Sequence, residues 1–146
     1  MRPGHHRCIV TAQRVCTDEH QKHYPAEYLR GIELFNAGEY FQCHEILESI
    51  WLVSCGREKL FYQGLIMAAV ALYHYELGRF GAARTMYRKA KARLERLPER
   101  FMSLDVRAFI GELDAFFDFT IEEARAGGHH PEKRPIIIFG DDVTKG

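Results

Sequence analysis

Gly38-Glu39-Tyr40-Phe41-Gln42-Cys43-His44-Glu45-Ile46-Leu47-Glu48-Ser49-Ile50-Trp51 is the stretch whose reading decides the fold. Tyr40, Cys43, Leu47, Ile50, Trp51 and Ser54 fall within one arc at about 100° per residue, the face of one helix. Its opening returns forty residues later, where Gly78-x-Phe80-x-x-Ala83 repeats Gly38-x-Tyr40-x-x-Cys43 and Tyr87 falls opposite Leu47. Glycine, an aromatic and then a small residue open a helix that packs closely on its neighbour, a grammar shared with tetratricopeptide-type hairpins. The repeat therefore predicts two antiparallel helical hairpins stacked side by side.

Outward from this stretch the pattern stays helical from about Pro25 to Ala126. A first helix carries Tyr28, Ile32 and Phe35 and ends at Asn36-Ala37-Gly38. The repeat helix ends at Cys55-Gly56. A third, from about Arg57 to Leu77, is apolar on nearly every side and belongs in the middle of a bundle. The fourth shows Ala83, Met86, Tyr87, Ala90, Leu94 and Leu97 and closes at Pro98. The fifth is expected to start at a Ser103 cap and run through Phe109, Leu113 and Ile121 to Gly127-Gly128. Together these predict an all-α, tetratricopeptide-like bundle of about five helices over residues 25–126. Residues 1–24 read as a polar, flexible tail. Residues 127–146 form an extension whose apolar run Arg134 to Phe139 must dock on the bundle or on a partner chain.

Composition narrows the function classes. Twenty basic residues match twenty acidic ones in a chain of 146, so no global field draws it to nucleic acid or to a membrane surface. One basic face without a reading motif argues against nucleic acid, and the longest apolar run is too short for a membrane span. Four cysteines without framework spacing suit reduced thiols, hence a cytoplasmic protein. Cys8, Cys16, His20 and His23 have ligand chemistry but not the tight spacing of a zinc site. No phosphate-binding glycine loop or serine-nucleophile elbow is present.

The candidate site lies on the repeat helix. His44 falls within its core arc, and Glu48, between His44 and Phe41 and beside Leu52, is expected to be buried; buried ionisable groups must be paired or neutralised. In a hairpin turning at Cys55-Gly56, Glu48 comes opposite Gln63 and His44 opposite Met67. The repeat aligns Glu48 with Arg88 and His44 with Arg84. Glu33 to Glu48 holds four acids and no Lys or Arg, whereas Arg79 to Arg100 holds eight basic residues against Glu95 and Glu99. The expectation is thus a buried, protein-only cluster of His44, Glu45, Glu48 and Gln63 covered by Trp51, with Arg84 or Arg88 in reach.

A divalent metal such as zinc, held by His44 and Glu48 in a metal-assisted hydrolase, is the alternative. His and Glu at i and i+4 share a face, and Glu45 stands where a general base belongs. The third ligand is the difficulty, since His74 would lie on the order of 10 Å further along the axis. Otherwise no cofactor is expected, and whether the protein is an enzyme stays open.

Phe35-x-x-Gly38-Glu39-Tyr40-Phe41-x-x-His44-Glu45-x-Leu47-Glu48-x-x-Trp51, followed by Phe61-x-Gln63-Gly64-Leu65-Ile66-x-x-Ala69 and Leu72-Tyr73-His74, resembles the domain-of-unknown-function family 309. That family comprises small all-helical prokaryotic proteins, and the resemblance covers about residues 26 to 97. It implies a helical bundle and brings no established activity. A small binding or scaffolding protein is therefore the expectation, with an unidentified protein or small-molecule ligand. Tyr73, Tyr75, Phe80 and the 134–139 run add more apolar surface than five helices hide, which predicts a homo-oligomer.

Overall fold

The structure is a computed structural model and describes residues 24–129 and 133–139. The N-terminal tail, with Cys8, Cys16, His20 and His23, lies outside the described residues. Helices α1 (Ala26–Asn36), α2 (Tyr40–Trp51), α3 (Gly56–Glu76) and α4 (Phe80–Leu94) run in sequence, followed by a short hairpin, β1 (Arg100–Phe101) and β2 (Leu104–Asp105), then α5 (Val106–Phe116) and α6 (Ile121–Arg125). The architecture is all-α but for this small sheet.

The forty-residue repeat is written into the backbone. After α1, Gly38 turns at φ +82°, and the Glu39 N–H donates to Leu34 O at 2.9 Å. After α3, Gly78 turns at φ +80°, and the Arg79 N–H donates to His74 O at the same distance. Both are left-handed glycine caps that return a chain direction sharply. Behind them Cys43 and Ala83 are each fully buried.

α3 is the central helix, packed on α2 on one side and α4 on the other. Glycines set how closely the outer helices approach. A Cβ added at Gly31 would come 2.6 Å from Leu47 Cδ2, and one at Gly64 would come 2.7 Å from Leu94 Cδ2. Burial of Tyr28, Phe35, Phe61, Tyr62, Leu65 and Leu72 completes the core between the helices. Because α3 intervenes, α2 and α4 are not packing partners, which corrects the expectation that the equivalent helices of the two hairpins are neighbours.

The C-terminal third departs from a single fifth helix. Met102 (φ +50°) and Ser103 (φ +62°) form a tight hairpin turn with both central residues left-handed. Tyr28 Oη donates to Met102 O at 2.8 Å and Tyr24 Oη lies 3.1 Å from Ser103 Oγ, so side chains from the bundle hold a conformation these residues seldom adopt. The helix cap is Asp105, which accepts from the Ala108 N–H, not Ser103. A capping box of Thr120 and Glu123 then starts α6 separately.

The 133–139 segment docks on its own bundle. Asn36 Nδ2 donates to Ile137 O at 3.0 Å and Asn36 Oδ1 accepts from the Ile137 N–H at 2.8 Å, the pairing one strand would offer another. Ile137 is buried, Phe139 bridges Leu104, and Arg134 reaches Glu76 at 3.3 Å. Part of the apolar surplus expected from the sequence is hidden in this way. No helix among the described residues is long and apolar enough to cross a membrane.

Candidate functional site

The residues singled out in the sequence fall into two groups on opposite sides of α3. His44, Glu45, Glu48 and Trp51 lie on α2, and Gln63 lies half-buried on α3. Arg84 and Arg88 lie on α4, against α5. The expected buried polar cluster is not formed. Glu48 is exposed and makes no hydrogen bond or ion pair among the described residues. The reason is visible in its flanks: Phe41 and Leu52, the apolar residues expected to enclose it, are themselves 46% and 67% exposed. Phe41, Glu45, Glu48 and Leu52 form the outward stripe of α2, not an edge of the core.

His44 is half-buried beside this stripe. Its Nδ1 lies 2.8 Å from Phe41 O, one turn back on the same helix, and its ring packs on Phe41 with centroids 5.0 Å apart. Trp51 is half-buried with Lys59 Nζ 4.7 Å from its ring centroid, and its Nε1 is buried without a partner among the described residues. His74, far along α3, also has a buried unpartnered Nδ1. Burial and then the Arg79 charge lower its pKa, so the neutral ring is favoured. Among the described residues no three His, Cys, Asp or Glu side chains are grouped as metal ligands, and the hydrolase alternative finds no ligand set around His44 and Glu48. Cys43, on the inner face of α2, is pushed up to about 12 by burial and stays a thiol at neutral pH.

The second group is more organised than the sequence suggested. On α4, Arg84, Arg88 and Lys91 stand one turn apart along the face toward α5 and line an open cleft of about 400 Å³. Tyr87 stacks on Phe117 with centroids 4.7 Å apart and donates from its hydroxyl to Asp114 Oδ1. Burial, and next this hydrogen bond to a carboxylate, raise the Tyr87 pKa far above its ordinary value. Lys91 Nζ sits 3.1 Å from Asp114. The Arg84 guanidinium lies over the Phe119 ring at 5.0 Å, with Nε and Nη2 buried and unpartnered. Tyr87, Lys91 and Asp114 are additions to the candidates read from sequence. The cationic spacing on α4 signalled this face, but the aspartate comes from a helix 27 residues beyond Tyr87 that no local pattern connects to it.

The model of a family described as "Domain of unknown function (DUF309)" matches residues 28–86, which take in α1, α2, α3 and the start of α4. A crystal structure of a conserved hypothetical protein from Thermus thermophilus is 38% identical to the chain and superposes with a TM-score of 0.58. That match covers 98% of the Thermus chain and 65% of this one. The chain belongs to the DUF309 family. An uncharacterized protein of Aquifex aeolicus is 30% identical over 83 residues, and the uncharacterized protein YpuF of Bacillus subtilis is 43% identical over 54. The chain spans 25% and 31% of the lengths of these two relatives. The DUF309 match contains the α2 stripe and Arg84 but stops before Arg88, and the α5 side of the cleft lies outside it. No biochemical function accompanies the family.

Proposed function

We propose that the protein is a small cytoplasmic helical binding module that self-associates, the outward stripe of α2 in one copy docking on the outward stripe of α4 in another. The exposure of Phe41 and Leu52 on α2 is the observation that carries this reading. Between them stand Glu45 and Glu48, so two α2 stripes laid together would oppose carboxylates. The solvent-facing residues of α4 offer the complement, small Ala82 and Thr85 with basic Lys89, joined just past the helix end by basic Arg96, all exposed. Large apolar side chains on one stripe meet small ones on the other, and acids meet bases. The free thiols Cys43 and Cys55 support the reducing compartment.

Burying two apolar side chains contributes about 1.5–3 kcal/mol each before the cost of association, so the charge pairs and small-residue contacts around them must supply the rest. Sedimentation velocity at micromolar concentration should show a species heavier than the monomer. Leu52→Asp should return it to monomer mass. Glu45→Lys should weaken association, and adding Lys89→Glu in the same chain should restore it. A clean monomer mass for the unaltered protein overturns the reading.

A further inference from the structure

We propose that the cleft between α4 and α5 is an oxyanion-binding site, taking a compact ligand that bears a phosphate or carboxylate between Arg84 and Arg88. Three observations carry it, none of which involves the outward stripes.

The first is the state of Arg84. Its guanidinium lies over Phe119 with Nε and Nη2 buried and without an acceptor, so Nη1, which is not buried, is the donor left to reach the cleft. An arginine held this way has no carboxylate to neutralise it, and buried donors left unmade are costly. Stacking on an aromatic ring fixes the planar group and readies it for an oxyanion.

The second is the charge balance along the walls. Lys91 is engaged by Asp114 at 3.1 Å and approaches Glu95 at 4.0 Å. Asp114 is further occupied by the Tyr87 hydroxyl. That leaves Arg84 and Arg88 against Asp118, the remaining carboxylate of the lining, and none of the three has an ion-pair partner among the described residues. Three cations and three carboxylates line the cleft, but Asp114 and Glu95 are both drawn to Lys91, so the two guanidinium groups face Asp118 alone.

The third is the room and the setting. The cleft holds about 400 Å³, enough for a small anion with some of its carrier. Arg84 and Arg88 stand one turn apart on α4 and both line the cleft, flanking Tyr87 in the sequence. Tyr87 is fixed by its stack on Phe117 and its bond to Asp114, so the wall beside the anion is rigid.

Inorganic phosphate, titrated into the full chain at low ionic strength and followed by NMR, tests the site, with acetate as the parallel arm. Saturable binding at one site is expected, lost at least tenfold in Arg84→Gln, the size that one charge-assisted hydrogen bond commonly contributes. Arg96→Gln, just past the C-terminus of the same helix and outside the cleft lining, should bind as the unaltered protein does. Tighter phosphate assigns the ligand to phosphate carriers, and tighter acetate assigns it to carboxylates. Non-saturating shifts with both anions overturn the proposal, as does an equal loss in Arg96→Gln. Should Arg84→Gln fail to fold, Arg88→Glu at an exposed position carries the test: it must abolish saturation, and retained binding overturns the site.

Discussion

In the α1–α2 hairpin the turn is made by Gly38 and the helix behind it buries Cys43; in the α3–α4 hairpin these positions are Gly78 and Ala83, with φ values of +82° and +80° and equal, complete burial. At the next positions the halves part. His44 packs on Phe41 of its own helix, whereas its counterpart Arg84 packs on Phe119 of the C-terminal region. Glu48 and Arg88 are both exposed with opposite charge. The inward positions share a requirement, full burial in the core, and so they repeat. The outward positions face different surroundings: α2 faces solvent and α4 faces α5. A duplicated framework therefore says where polar residues sit and not which of them meet.

The closest helix approaches give the largest test of that common framework. A methyl group at Gly31 would press on Leu47 Cδ2 at 2.6 Å and Cγ at 2.8 Å, and one at Gly64 on the same two atoms of Leu94 at 2.7 and 2.8 Å. Both leucines are buried and have nowhere to swing. Gly31→Ala and Gly64→Ala should each destabilise by about 1–3 kcal/mol through overpacking, even after the gain in helix propensity. Chemical denaturation checks this. A stabilised variant in either half would show that half to be loosely packed and break the equivalence.

The turns should respond more mildly and equally. Nothing lies within 4 Å of a Cβ built at Gly38 or Gly78, so only the left-handed backbone opposes a side chain there. Gly38→Ala and Gly78→Ala should each cost about 1 kcal/mol. Thermal midpoints for the two variants should therefore fall together. A gap above about 1 kcal/mol would mean that the two caps, alike in angle, are unequally supported by the helices they lead into.

This contrast also explains how much of the molecule is legible in its sequence. Helical period and glycine position are local, and they locate α1 to α4 to within a few residues. The hairpin at 100–105 is not visible because Met102-Ser103 has no turn chemistry of its own; Tyr28 and Tyr24, more than seventy residues away, impose it. Asn36 reads as part of a helix stop, while its amide serves Ile137. The break before α6 is legible in Thr120-Ile121-Glu122-Glu123, a capping box submerged in a continuing apolar pattern. For the site, the types and spacing of His44, Arg84 and the cationic run on α4 single them out. Their partners stay hidden, because α3 separates α2 from α4 and the groups that meet α4 come from α5 and the segment just after it.

Glu48 gives the smallest expected effect and the sharpest one for the comparison. Its apolar neighbours in sequence argue for burial; the structure puts those same residues, Phe41 and Leu52, at the surface with it. Apolar neighbours do not by themselves enclose a charge, since much of any folded surface is apolar. Glu48→Ala removes no hydrogen bond or ion pair among the described residues, and stability should change by less than about 0.5 kcal/mol, as at other exposed positions. Arg88→Ala, its repeat mate, should be equally silent in stability while weakening phosphate binding. The two variants, matched in backbone and exposure, would then differ only in which surface they disturb: Glu48→Ala should weaken self-association and leave the anion titration unchanged. Denaturation, sedimentation and the phosphate titration on the same pair of variants decide it. A loss above about 1 kcal/mol for Glu48→Ala would mean that the carboxylate is enclosed in solution, and the outward stripe of α2 would no longer be free to dock.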